Sequence, residues 1–149
     1  MSTRDRDLNR RHFLSVVAGS TVIAACSSGK DGSPEPFGDV SAGNVKDVPV
    51  GTLSAVGSEP CVLGRDADGL YAMTITCTHE GCDLDALGNG DTAMLHCSCH
   101  GSEFDRNGKR TRGPADSNLT HFAVEVDAMG EITVRGGSKV SSTTRTPVA

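Results

Sequence analysis

Two short stretches decide how this chain is read: Cys77-Thr78-His79-Glu80-Gly81-Cys82 and Cys97-Ser98-Cys99-His100-Gly101-Ser102. Each presents thiols and an imidazole within a tight loop, and each carries a Gly that lets the backbone turn sharply. Soft thiolate and imidazole donors together suit zinc or an iron–sulfur centre, and not calcium or magnesium. Zinc accepts two Cys and two His readily, and simple disulfide pairing of all four thiols is a further reading. Zinc with those ligands leaves the second Cys of each stretch without a role. A catalytic Cys–His pair would need a third, orienting group, and none is visible.

Outward from these loops, no helical periodicity of useful length appears from Asp39 onward. Short strand candidates, bounded by Gly, Asp, Asn or Pro, lie at 53–56, 61–65, 70–76, 92–96, 120–126 and 131–134. Asp66-Ala67-Asp68-Gly69 reads as a hairpin turn, and Asp127-Ala128-Met129-Gly130 separates the last two strands. Phe122, Val124 and Val126 alternate onto one face. The expectation is an all-β domain of short antiparallel strands over 39–136, interrupted by the two Cys/His loops. The Gly/Ser/Thr-rich tail, 137–149, is expected to be disordered. Composition agrees: aromatics are 3% of 149 residues, with no Trp and 18 Gly, so a large close-packed core is not expected. Six Cys suit a small domain that needs covalent or metal staples.

The pattern C-x-H-x-G-C followed by C-x-C-H-G-S resembles the two boxes of Rieske proteins, and the likeness runs over roughly 45–134. The resemblance implies a Rieske-like fold with a cluster-binding subdomain of two loops and one [2Fe–2S] cluster. It implies that Cys77 and Cys97 hold one iron through sulfur, and that His79 and His100 hold the other through nitrogen. It further implies a disulfide between Cys82 and Cys99, as in high-potential members. Two neutral imidazoles in place of two thiolates make such a cluster less negative and easier to reduce. Potentials of about −150 to +300 mV follow, against about −400 mV for all-Cys plant-type ferredoxins. Protonation of an imidazole ligand is then linked to reduction.

The same resemblance extends to neighbours that tune the potential through hydrogen bonds to sulfur. Ser102 matches a serine whose hydroxyl points at a bridging sulfide. Phe104 stands where high-potential members carry a Tyr, and it has no donor, which implies a potential between the extremes. Gly113-Pro114-Ala115 resembles the proline loop over the cluster, with Asp116 where a second Pro is common; the alternative is an ordinary Pro-containing turn. Glu80 occupies a position where Leu is common. A carboxylate is costly to bury in an apolar quinol pocket unless it is paired, so quinol oxidation is not the first expectation.

The first 26 residues read as a targeting segment. Asn9-Arg10-Arg11-His12-Phe13-Leu14 resembles the twin-arginine export motif, and the uncharged stretch 13–25 follows it. Thirteen residues of helix reach ~20 Å, short of a ~30 Å hydrocarbon core, so an export signal fits better than a membrane span. Ile23-Ala24-Ala25-Cys26 resembles a lipobox with Cys26 as the lipidated residue; in the alternative, Cys26 is incidental to an ordinary signal. Residues 27–38, SSGKDGSPEPFG, have the composition of a flexible tether. Twin-arginine export is associated with proteins that fold around a cofactor before crossing. The expected location is therefore periplasmic or otherwise extracytoplasmic and membrane-anchored, where a disulfide is permitted.

The formal net charge is −5, and Arg4, Arg6, Arg10 and Arg11 in the leader leave the remainder more acidic still. Such a body argues against nucleic acid as a partner and leaves room for a partner with a basic docking patch. The leading expectation is a lipid-tethered, high-potential electron carrier serving a cytochrome or a larger oxidoreductase subunit. The alternatives are a small subunit of a quinol- or arsenite-oxidase-like complex, or a zinc-stabilised binding lipoprotein. A stand-alone enzyme is not expected, since no acid–base constellation accompanies the cluster motif. Cys61, beside Val62 and Leu63, reads as a buried free thiol, with a reactive thiol as the alternative, while His96 and His121 read as surface or structural residues.

Overall fold

The computed structural model describes residues 34–148. The export signal, Cys26 and most of the tether lie outside the described residues. Among the described residues the regular structure is almost entirely β, in two antiparallel sheets.

The larger sheet is built on a hairpin of β3 (Cys61–Asp66) and β4 (Gly69–Thr74), paired from Cys61 opposite Thr74 to Asp66 opposite Gly69. Its turn is held by the Asp66 carboxylate, which accepts from the Asp68 and Gly69 amides at 3.0 and 3.1 Å. Every residue of β4 is buried, because this strand is covered on both faces. Alternation then sorts its side chains. Tyr71 and Met73 join Val62 in a core shared with the Cys/His loops. Leu70 and Ala72 join Cys61, Leu63, Phe122, Val124, Ile132 and Val134 in a second core. Around the hairpin lie β1 (Asp39–Asn44), β2 (Leu53–Ala55), β9 (His121–Val126) and β10 (Glu131–Val140), in the order β1-β10-β9-β4-β3-β2. The smaller sheet, in sequential order, contains β5 (Asp85–Leu87), β6 (Met94–His96), β7 (Glu103–Asp105) and β8 (Arg110–Arg112).

The expected strands are all present, most with small shifts at their ends and the last extended from 134 to Val140. Four others, β1, β5, β7 and β8, lie outside those candidates and bury only Phe104 among them. They are short, polar or at sheet edges, and β8 (Arg-Thr-Arg) is exposed throughout. Their pairing comes from neighbours rather than from their own pattern.

Two expectations are corrected at the ends of the domain. The stretch assigned to the tether does not stay free up to residue 38: Phe37 packs edge-to-face on Phe122, with ring centroids 4.9 Å apart. Gly136 permits this approach, since a Cβ there would lie 2.4 Å from the Phe37 ring. The tail expected to be disordered is ordered. β10 continues to Val140, and Thr146 exchanges both backbone hydrogen bonds with Leu70 at 2.8 and 2.9 Å. Arg145 then lies 4.0 Å over the Tyr71 ring, donates to Asp66 at 2.6 Å and donates to Asn107 at 2.7 Å. Low hydrophobicity argued for disorder, but this segment is fixed by a backbone ladder, a cation–π contact and an ion pair instead of apolar burial. It straps the larger sheet to the turn between β7 and β8.

Candidate metal centre

The first Cys/His loop leaves β4 and runs to β5; the second joins β6 to β7. The two have the same backbone design. In the first, the Cys77 amide donates to the Cys82 carbonyl (2.7 Å) and the Gly81 amide to the Cys77 carbonyl (3.0 Å). In the second, the Cys97 amide donates to the Ser102 carbonyl and the Gly101 amide to the Cys97 carbonyl, both at 2.8 Å. Gly81 and Gly101 sit at φ 74° and 73°, in the left-handed region that favours Gly. Each loop therefore turns at the same place and delivers its first Cys inward and its His outward.

Cys77 and Cys97 are both 0% exposed and lie in one core with Leu84, Leu95, Phe104, Ala115 and Leu119. Burial pushes the Cys77 thiol above its ordinary range. The His79 backbone opposes that shift, the neighbouring Cys97 adds to it, and the Ser102 hydroxyl also opposes it. His79 and His100 stand at the rim with their Nδ1 atoms 3.3 Å apart and their rings nearly perpendicular, at 82°. A disulfide joins Cys82 to Cys99 and ties the loop tips together, leaving Cys77, Cys97 and Cys61 as the free thiols of the described residues.

A third loop, 113–118, covers the pair of Cys/His loops. The Ala115 amide donates to Ser102 Oγ at 2.9 Å, and Thr78 Oγ1 donates to the Ser117 carbonyl at 2.8 Å. The cover thus bonds to both loops. Phe104, fully buried, contributes packing only. Glu80 lies at the tip with its carboxylate 3.7 Å from His100 Nε2, and both side chains are well exposed, at 60% and 43%.

Two buried thiols beside two rim imidazoles form a donor set that fits a mixed-ligand iron–sulfur cluster: sulfur on the dry side, nitrogen on the wet side. The sequence brought these four residues forward; Thr78, Arg110 and Asn118, which support the cover loop, were missed. They are ordinary polar residues whose roles arise from folding, and no local pattern marks them.

The remaining candidates lie elsewhere. Burial, with Glu59 adding, pushes the Cys61 thiol up to about 11, which makes it unreactive. His121 is buried, not at the surface, beside Tyr71. Burial depresses its pKa, its Nδ1 lies 3.2 Å from the Leu119 carbonyl, and its Nε2 has no hydrogen-bond partner among the described residues. His96 ends β6, half-buried.

A small all-β domain with a mixed thiolate and imidazole site defines the class of protein. The model of the Rieske [2Fe-2S] domain matches residues 39–123, and this chain belongs to that family. The domain binds one [2Fe–2S] cluster and transfers electrons. The cytochrome b6-f complex iron-sulfur subunit of Prochlorococcus marinus (strain NATL1A) is 36% identical over 156 residues, covering 85% of this chain and 86% of its own length. Other cyanobacterial subunits of that description match at 41% identity over only 66 residues, so the chain spans about a third (36%) of their length. Among solved structures, the plasma membrane Rieske protein of Synechocystis PCC 6803 superposes with a TM-score of 0.51 at 27% identity, over 64% of this chain and 98% of that one. A chain from the complex of reduced oxygenase and oxidized ferredoxin in carbazole 1,9a-dioxygenase gives 0.51 at 30% identity, over 69% and 96%.

Proposed function

We propose that Cys77 and Cys97 bind one iron and His79 and His100 the other, and that the chain passes single electrons as a tethered carrier outside the cytoplasm. The observation that carries the ligand assignment is the convergence of two fully buried thiols and two rim imidazoles from loops of one design. When bound, the cluster supplies a one-electron site of raised potential. The polypeptide excludes water from the sulfur side, orients Ser102 through the Ala115 amide and leaves the two imidazoles accessible to a partner. Tethering rests on Cys26 and the composition of 27–38.

Membership in a larger oxidoreductase complex is favoured by one observation, the 85% coverage by a cytochrome b6-f iron-sulfur subunit. Against a quinol-pocket role stands Glu80, which places a carboxylate beside His100 at the tip. Purification of the full chain from its native membranes separates the two readings. A carrier runs alone and is released by removal of its lipid, whereas a subunit co-purifies at fixed stoichiometry. Metal analysis of the same sample tests the cluster: stoichiometric zinc without labile sulfide would end the redox reading.

A further inference from the structure

In the cover loop, 113–118, only Ala115 is buried. Apolar burial of one methyl group cannot hold six residues in place, so polar bonds must. Two of them come from a single residue of β8. Arg110 Nη1 donates to the Ala115 carbonyl at 2.9 Å, and the Arg110 amide donates to Asn118 Oδ1, also at 2.9 Å. Ala115 is therefore gripped from both sides: Arg110 holds its carbonyl while its amide holds Ser102 Oγ. Ser102 is fully buried, and its backbone carbonyl accepts from the amide of Cys97. With its oxygen occupied by the Ala115 amide, its one proton is left to donate inward, where the thiols of Cys77 and Cys97 are buried in the same core.

We infer that Arg110 is a positioning residue for the redox potential: it pins Ala115, and Ala115 holds the Ser102 hydroxyl aimed at the sulfur side of the site. The inference rests on the proposed cluster and its ligands. A hydroxyl donated toward sulfur stabilises the more negative, reduced state, so a loosened Ser102 lowers the potential. Charge alone does not single Arg110 out. Arg112, two residues along the same strand, carries the same charge but pairs with Glu103 at 3.3 Å and makes no bond to the cover loop.

The test is a redox titration, followed by EPR, of the full chain matured with iron and sulfide. Arg110→Met, Arg110→Lys, Arg112→Met, Ser102→Ala and the Arg110→Met/Ser102→Ala double variant are compared with wild type. Arg110→Met is expected to shift the one-electron equilibrium about tenfold toward the oxidised form, about 59 mV, with Arg110→Lys restoring part of it. Arg112→Met leaves the potential unmoved, and Arg110→Met adds nothing once Ser102 is Ala. Additive shifts, an equal shift in Arg112→Met, or a lowered melting temperature at unchanged potential would each overturn the inference. Should Arg110→Met not retain iron, the cycle is read on Arg110→Gln, and an unshifted potential there overturns it equally. A wild type with no titratable cluster defeats the proposed function itself, whereas a titratable wild type with an unshifted Arg110→Met defeats only this inference.

Discussion

At the scale of single residues, the chemistry depends on which atoms are dry. Cys77 and Cys97 sit beneath the cover loop and His79 and His100 stand at the rim. Ser102 is the fully buried hydroxyl that meets the cover loop, and Phe104, two residues on, offers no donor. Ser102→Ala is therefore expected to lower the midpoint potential. A charge-assisted hydrogen bond contributes about 1.5–3 kcal/mol, on the order of 65–130 mV for one electron, measurable by spectroelectrochemical titration. An unchanged potential would show that the hydroxyl points elsewhere. Buried His121 makes a separate prediction. Its folded-state pKa is depressed by burial, so the unfolded chain takes up a proton first as pH falls. The associated stability is present above the unfolded value of about 6.5 and declines below it. Denaturant midpoints measured between pH 7.5 and 5 should fall for the wild type and fall less for His121→Leu.

At the scale of elements, the ligand loops and the C-terminal strap carry the testable energetics. The disulfide closes a separation of 17 residues, for which chain-entropy arguments give about 3 kcal/mol. The double variant Cys82→Ser/Cys99→Ser should lose stability on that order and release iron faster under chelation; equal retention would mean that the cover loop alone holds the tips. The strap predicts that Arg145→Ala costs about 1–3 kcal/mol, since it removes a cation–π contact and leaves Asp66 unpaired. Burial alone would raise the Asp66 pKa, but the hydrogen bond and charge of Arg145, with two backbone amides, hold it below the ordinary value. The Arg145–Asp66 contribution is thus complete above about pH 4 and is lost as pH falls through the lowered value. The gap between Arg145→Ala and wild type should therefore narrow in thermal melts at strongly acid pH, leaving the cation–π contact to Tyr71 and the bond to Asn107; a gap that does not narrow there would assign the strap's effect to those contacts alone.

The elements also show what was legible in the amino-acid order. The Cys/His loops could be read because their chemistry is local: six consecutive residues contain the donors and the turning Gly. The β3–β4 and β9–β10 hairpins could be read because apolar runs meet Asp- and Gly-containing turns. The edge strands β1 and β8 could not, since their residues bury little and their order comes from the partner strand. The strap was misread for a related reason. Its contacts to Leu70, Asp66 and Asn107 span long sequence separations, and composition reports only on apolar burial. The same limit hid Arg110, whose significance depends on meeting Ala115 after folding.

For the whole molecule, a larger and a smaller sheet together present the rim imidazoles, His79 from the loop that links the two sheets and His100 from a loop within the smaller one. Among the described residues no helix is long and apolar enough to cross a membrane, and the proposed attachment to a bilayer runs through Cys26. The chain is acidic overall, so its electron exchange with a basic partner should slow as ionic strength rises beyond about 0.1 M, where screening shortens to about 10 Å. Stopped-flow rates independent of salt would point to an apolar docking face.

The most direct test of the central claim is the low-temperature EPR spectrum of the dithionite-reduced full chain, purified with iron and sulfide available, alongside Cys77→Ser, His79→Ser, Cys97→Ser and His100→Ser. The account predicts a rhombic signal with the low average g of mixed thiolate and imidazole ligation, lost or altered in all four variants. A silent sample that holds zinc, or a signal unchanged by any one of the four substitutions, would contradict it.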